Sequence, residues 1–155
     1  MQIARTAAAV IITAALSSSA FAQSGPSREE LNMAAESPAF RAVADRFIAA
    51  AVAGDAATLE QMLSPAIVAR AGKETLAKVL GGQVIPFFAG QKETGRSVTV
   101  ANTADASGNL GFAYYMYSVT RTGEQKPFVI YVVDENGRKT VGNIVVNEFV
   151  QGRHQ

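Results

Sequence analysis

Three short runs of β-branched and aromatic residues, lying between Gly111 and Val150, constrain the fold of this chain more than any other feature. They read GFAYYMYSVT, PFVIYVV and TVGNIVVNEFV, a composition typical of β-strands. The two connections contain Thr122-Gly123-Glu124 and Glu135-Asn136-Gly137, which favour turns. The sequence therefore predicts an antiparallel meander.

The first 22 residues have the features of a cleavable secretory signal. Arg5 gives a positive start, the apolar run over 6–16 is too short to span a bilayer, and Ala20-Phe21-Ala22 suits signal peptidase. We expect cleavage before Gln23 and a periplasmic or secreted protein. The alternative is that the apolar run is a membrane anchor. Because no Cys follows the run, a lipid-anchored form is not expected.

The composition argues against several classes of function. Removing Arg5 with the signal takes the 14 basic residues to 13, equal to the 13 acidic ones, so the mature chain has no net charge to attract nucleic acid or an anionic membrane. The chain has no Cys, and its one histidine, His154, lies in the polar tail 151–155. No metal-ligand cluster, phosphate loop or Ser-His-Asp set appears, so we expect neither a metal nor a cofactor.

Helical patterns occupy the first half of the mature chain, after a polar N-terminal segment over 23–36. The first helix is predicted to begin at Ser37-Pro38 and to end at Gly54. Its apolar residues recur with helical spacing, which predicts one buried stripe. That stripe consists of Phe40, Val43, Ala44, Phe47, Ile48 and Ala51. Asp55 is predicted to cap a second helix, which Ser64-Pro65 ends.

The region before the meander is less regular. Residues 66–70 fit either a short strand or a turn, and a helical pattern resumes at Lys73. Gly81-Gly82 and Pro86 interrupt it, so either one kinked helix or two half-helices fit. A half-buried strand is predicted over 97–103, followed by a turn over 105–109.

This order predicts an α+β domain over 37–150, in which three N-terminal helices pack on a curved antiparallel sheet of about four strands. If Asn136-Gly137 is a two-residue turn, Val132 pairs with Val141. The same counting pairs Ile130 with Asn143, and a four-residue loop over 122–125 sets Tyr117 beside Ile130. These pairings place Tyr115, Tyr117 and Asn143 on one face. They place Met116, Val129, Tyr131, Ile144 and Val146 on the other.

Both of these faces are apolar, although the helices can cover only one of them. The second face is predicted to form a homodimer interface. Its centre is Met116, Val129, Tyr131, Ile144 and Val146. The alternative is that the segment Ser24 to Glu36 folds back over this face within one chain.

From Ser37 to Val150 the chain resembles the nuclear transport factor 2-like superfamily, in particular its small exported bacterial members. The resemblance rests on the first stripe running into Ala53-Gly54-Asp55, on Leu59 and Met62-Leu63, on a third helix before the sheet, and on the strand Val141-Gly142-Asn143-Ile144-Val145-Val146. It implies a cone-shaped fold, whose sheet wraps a pocket against the first and third helices, and frequent dimerisation. It implies no particular activity.

A ligand pocket is predicted between the first helix and the sheet, because polar groups interrupt an apolar face there. The predicted lining is Phe47, Phe87, Phe88, Tyr115, Tyr117, Asn143 and Asn147. The two asparagines either border a solvated cavity or lie at the wet margin of the sheet.

We therefore expect an exported, non-catalytic domain that binds a small apolar or amphipathic molecule, or a partner protein. The alternative is an isomerase or dehydratase-like enzyme, since enzymes of the resembled superfamily place an Asp beside Tyr. In this chain that role falls to Asp45 with Tyr115 or Tyr117. Against it, Asp45 also fits a solvated helix carboxylate near Arg41, and strand tyrosines often serve only in packing.

Overall fold

The computed structural model describes residues 37–147 of the chain. Helices between residues 37 and 88 precede a four-stranded antiparallel sheet, so the predicted α+β class is confirmed. The predicted signal peptide with its cleavage before Gln23, the segment 23–36 and the tail 151–155 lie outside the described residues. No helix between residues 37 and 147 has the length and apolar character needed to cross a membrane.

Between residues 37 and 88, six helical segments make up the first layer. They are α1 (Ser37–Ala53), α2 (Ala56–Met62), α3 (Pro65–Ala71), α4 (Lys73–Val79), a π-helical turn (Leu80–Val84) and α5 (Ile85–Phe88). Residues 66–70 therefore belong to a helix and form neither a strand nor a turn. The corner between α1 and α2 is as predicted. Gly54 has a φ of 70°, and the Asp55 side chain accepts a hydrogen bond from the Thr58 N–H at 3.0 Å.

The predicted stripe of α1 forms part of the core. Phe40, Ala44, Phe47 and Ala51 have no exposed surface, and Ile48 is 6% exposed. Such a stripe arises because side chains three and four positions apart lie on the same side of a helix. It packs against the sheet and against the later helices in one continuous cluster.

Residues 73–88 are helical throughout, although the hydrogen-bond pattern changes over 80–84. Of the two alternatives, one continuous helix is therefore correct, and two separate half-helices are not. The Ile85 N–H donates to the Leu80 carbonyl five residues back, which is the π-helical pattern. The π-helical turn contains Gly81 and Gly82 and lies just before Pro86, which has no N–H of its own to donate. The wider turn therefore coincides with the residues predicted to disturb the helix.

The sheet contains β1 (Glu93–Ala104), β2 (Leu110–Val119), β3 (Gln125–Glu135) and β4 (Arg138–Val146), in that order across the sheet. Asn136 and Gly137 both have positive φ, 54° and 82°, as a two-residue hairpin turn of the predicted kind requires. Glu135 faces Arg138 and Val132 faces Val141, which confirms the first part of the predicted register.

The rest of the predicted register is wrong. Gly142 is an extra residue in β4, so Tyr131 faces Asn143 and Ile130 faces Ile144. A residue without a paired partner is a β-bulge, and it exchanges the faces of every residue beyond it. Between β2 and β3 the connection has five residues, 120–124, and Tyr117 faces Pro127.

These corrections change which side chains share a face. The side of the sheet that faces the helices contributes nine side chains to the core. They are Phe112, Tyr114, Met116, Phe128, Ile130, Val132, Val141, Ile144 and Val146. Side chains alternate along a strand, so the opposite side, which we call the outer face, has a different set. It consists of Ala113, Tyr115, Tyr117, Val129, Tyr131, Val133, Asn143 and Val145.

Strand β1 is longer and more exposed than predicted. The alternating pattern over 97–103 predicts a half-buried strand, but residues 96–102 are all exposed. The reason is that β1 is an edge strand, and the hydrogen bonds that α1 makes with it, from Arg41 to Gly95 and Ser97, lie near one end of the strand.

Candidate functional site

The predicted pocket residues do not come together. Phe47, Phe87 and Phe88 belong to the closed core, where the rings of Phe88 and Phe128 pack edge to face with centroids 5.0 Å apart. Phe87 meets Phe88 in the same way at 4.9 Å. These contacts fill the space between helices and sheet that the prediction assigned to a ligand.

The polar members of the predicted pocket lie elsewhere. Tyr115, Tyr117 and Asn143 are half-buried on the outer face, and Asn143 accepts a hydrogen bond from the Ile144 N–H at 2.9 Å. Asn147 follows the end of β4, is exposed, and has a φ of 68°. The seven residues predicted to line one pocket therefore do not surround a common cavity, because their grouping depended on the incorrect register.

The predicted catalytic combination is also not assembled. Asp45 is on α1, its side chain is 56% exposed, and it forms an ion pair with Arg41 at 2.8 Å. This is the solvated helix carboxylate of the alternative interpretation. Tyr115 and Tyr117 point away from the helices, so the sheet separates both phenols from Asp45.

The predicted dimer surface divides between the two faces. Met116, Ile144 and Val146 are part of the helix-facing core, and Val129 lies on the outer face with no exposed surface. Of these five residues, Tyr131 alone is half-buried on the outer face. The predicted exposed apolar patch is therefore wrong at these residues, since the bulge at Gly142 and the longer loop move three of them inside.

Arg41 connects α1 to β1 through several polar contacts. Its Nε donates to Asp45, and its Nη2 donates to the Gly95 carbonyl at 3.2 Å. Its Nη1 donates to the Ser97 hydroxyl. The guanidinium carbon lies 5.7 Å from the centre of the Tyr114 ring, within the range of a cation–π contact. These bonds leave a second N–H on each terminal nitrogen for a further acceptor.

Two open depressions flank Arg41 along α1, and we call them together the Arg41 groove. The first, of about 400 Å³, is lined by Ser37, Pro38, Arg41, Val100, Phe112 and Tyr114. The second, of about 420 Å³, is lined by Arg41, Asp45, Ile48, Ala49, Val52, Thr94 and Gly95. Both have mostly apolar walls with a charged group at one side, the composition of many small-molecule sites.

Tyr114 lines the first depression and is not suited to proton transfer. Burial raises its pKa to about 12, and the positive charge of Arg41 opposes part of that rise. The phenol therefore keeps its proton near neutral pH and donates it to the Ser37 carbonyl at 3.3 Å. An acid or base works best with a pKa near the operating pH, so this arrangement favours binding over catalysis.

Sequence reasoning did not single out Tyr114 and treated Arg41 only as a neighbour of Asp45. The spacing of four residues between Arg41 and Asp45 was the one signal available, and it predicts only a surface ion pair. The remaining partners, Gly95 and Ser97, lie more than fifty residues away in the chain.

The part of the chain between residues 37 and 147 contains no group of three or more histidine, cysteine, aspartate or glutamate side chains that could hold a metal. Comparison of the chain with protein-family models, with curated proteins and with solved structures finds no match.

Proposed function

We propose that this chain is an exported, non-catalytic domain that binds a small amphipathic molecule in the Arg41 groove. The observation that carries the proposal is the placing of the Arg41 guanidinium beside the apolar walls formed by Val100, Phe112 and Tyr114. An apolar part of the ligand would lie against those walls, and an acceptor group would bind the remaining N–H groups of Arg41.

The resemblance to the nuclear transport factor 2-like superfamily belongs to this proposal, together with the finer architecture of three helices on a curved, cone-shaped sheet. The order of helices and antiparallel strands supports it. The resembled fold would hold a ligand between the helices and the sheet, but in this chain aromatic rings fill that space. We therefore assign the ligand site to the Arg41 groove at the side. Export to the periplasm or medium is supported by the N-terminal pattern. A homodimer, or a protein ligand in place of a small molecule, stays a prediction.

The direct test uses a fluorescent amphipath, 1-anilinonaphthalene-8-sulfonate, titrated into the chain from Gln23 onward. The variant Val100→Glu places a charge on the apolar wall, and we expect an affinity about tenfold lower, since burying one valine is worth roughly one factor of ten. Val98→Glu is the matched control, because Val98 lies on the same strand, is 52% exposed against 46% for Val100, and lines neither depression.

A second comparison tests the role of the charge. Arg41→Gln should weaken the sulfonate probe more than the uncharged probe N-phenyl-1-naphthylamine, since only the former has an anionic group for Arg41. Equal affinities of wild type, Val100→Glu and Val98→Glu for the sulfonate probe would place its binding outside the groove. Failure of wild type to bind either probe would overturn the proposal as well.

A further inference from the structure

The two edges of the sheet differ in how their backbone groups are covered. At the β4 edge, Leu63 forms a parallel bridge with Val141, and the Ser64 N–H donates to the Val141 carbonyl at 2.9 Å. At the other edge, β1 pairs with β2 on one side, and none of the described elements pairs with its second side. A free edge presents a row of donors and acceptors that can add another strand.

Half of β1 lacks the features that usually protect an edge strand. Irregularities interrupt its pairing between Glu93 and Arg96 and between Ser97 and Thr99. From Thr99 to Ala104 the register is unbroken, with no charged residue, proline or bulge. Among the described residues, the large apolar side chains that are exposed are Val52, Val98 and Val100, two of which lie on this strand.

We propose that two copies of this chain pair through β1, antiparallel, about a two-fold axis at Ala101. The pairing sets Thr99 opposite the partner's Thr103 and Val100 opposite the partner's Asn102. Residues that face each other in an antiparallel pair turn their backbone N–H and C=O groups the same way, either both toward the partner strand or both away from it. Thr99 and Thr103 are an even number of positions apart along β1, as are Val100 and Asn102, so both pairs meet this requirement. A two-fold axis lets one surface serve both copies, so no second complementary surface is needed.

The charges at the ends of this pairing favour a second copy as the occupant. Val98 is the extra residue of a bulge, since Ser97 and Thr99 face consecutive residues of β2. Counting past it in the same way sets Ser97 opposite the partner's Ala104, and Arg96 opposite the partner's Asp105. The symmetry makes this pair of opposite charges twice.

Asp105 is held in place for such a contact. Its carboxylate accepts hydrogen bonds at 2.9 Å from the backbone N–H groups of Ser107 and Asn109, which fixes the turn that follows β1. Residues 97–104 carry no charge, so no like charges face each other in the paired segment. The dimer would join two sheets into one of eight strands, and the pairing does not depend on any ligand in the Arg41 groove.

The test is sedimentation velocity of the chain from Gln23 onward over a micromolar to millimolar series. Wild type should shift from monomer toward dimer as its concentration rises. Arg96→Glu sets an acid opposite Asp105, and Val98→Lys adds a charge to the edge. Each should weaken dimerisation about tenfold, because each change acts at both ends of the symmetric pair. Val52→Lys is the matched control, since Val52 is 51% exposed, lies on α1 and is not part of the pairing segment of β1, and it should dimerise as wild type.

Unchanged urea midpoints would show that the variants are folded. Hydrogen exchange of residues 99–104 should slow with increasing concentration in wild type and in Val52→Lys, and should slow less in Arg96→Glu and Val98→Lys. A wild type that stays monomeric throughout the series overturns the proposal. So does a dimer that tolerates Arg96→Glu and Val98→Lys, and in that case dissociation by Tyr131→Glu would assign the interface to the outer face.

Discussion

The hydroxyl of Ser64 donates a hydrogen bond of 2.6 Å to the carboxylate of Glu135, and so joins the start of α3 to the end of β3. Ser64 has no exposed surface and stands at the N-cap of α3, yet its side chain makes no capping bond there. The bond to Glu135 takes the place of the cap. On the same side of the molecule, Arg138 donates to the Gln61 carbonyl at 3.0 Å. The β3–β4 hairpin is thus attached to the helices by side chains as well as by the core.

Replacing Ser64 by alanine should lower the free energy of unfolding by about 1–2 kcal/mol, because hydrogen bonds to charged groups stabilise more than neutral ones and the Glu135 carboxylate loses a partner. Urea denaturation followed by circular dichroism measures the change. Ser107→Ala, at an exposed turn position, is the control and should leave the midpoint unchanged. Equal midpoints for the two variants would show that the Ser64 bond adds nothing to stability.

Close approach of two strands at Gly111 leads to a second prediction. A Cβ added at Gly111 would lie 1.8 Å from the Val132 carbonyl oxygen, so Gly111→Ala requires the backbone to move. We expect a loss of about 1–3 kcal/mol in the free energy of unfolding, the usual range for overpacking. The measurement is again urea denaturation.

Gly82→Ala provides the opposite case and completes the test. A Cβ built at Gly82 would meet no atom within 4 Å beyond its chain neighbours and the adjoining helix backbone, and Gly82, which is in the π-helical turn, does not have a positive φ. Since glycine costs a helix roughly 0.5–1 kcal/mol relative to alanine, this variant should be more stable than wild type. Loss of stability in Gly82→Ala would mean that the π-helical turn itself needs glycine.

The sequence predicted the elements well and their pairing poorly. The α1 stripe, the Gly54-Asp55 corner and the Asn136-Gly137 turn follow from local rules, and all three are confirmed. A glycine inside a strand, as at Gly142, is a known sign of a bulge, but its presence alone does not say that the bulge forms. The bulge at Gly142 turns the following residues of β4 to the opposite faces from those predicted. Asn143 therefore lies on the outer face and not toward the helices.

The candidate site could not be predicted for a related reason. Arg41 acquires its role only when β1 approaches α1, and nothing local in the sequence sets the position of an edge strand against a helix. Val100 likewise belongs to the segment predicted as a half-buried strand, yet it is 46% exposed. Burial at the edge of a sheet depends on what covers it, and local patterning does not report that.

The last prediction concerns stability at alkaline pH. Burial raises the pKa of Tyr131 on the outer face to about 12, and the neighbouring Tyr115 adds to the rise through its charge and a hydrogen bond. In the unfolded chain a tyrosine titrates near its ordinary pKa of about 10. Between these two values the folded protein binds more protons than the unfolded one, so stability falls as pH increases. Below pH of about 10 this contribution is fully present.

We therefore expect urea midpoints to decline from about pH 10 toward pH 12, and the decline to be shallower in Tyr131→Phe, whose ring has no proton to lose. Tyr114→Phe should reduce the slope independently, since burial raises the pKa of Tyr114 to about 12 as well. Because the chain has four tyrosines and no tryptophan, phenolate absorbance reports their titration directly. Ionisation of all four phenols in one step near pH 10 would contradict this prediction, because it would show that burial does not raise the pKa of Tyr131 or Tyr114.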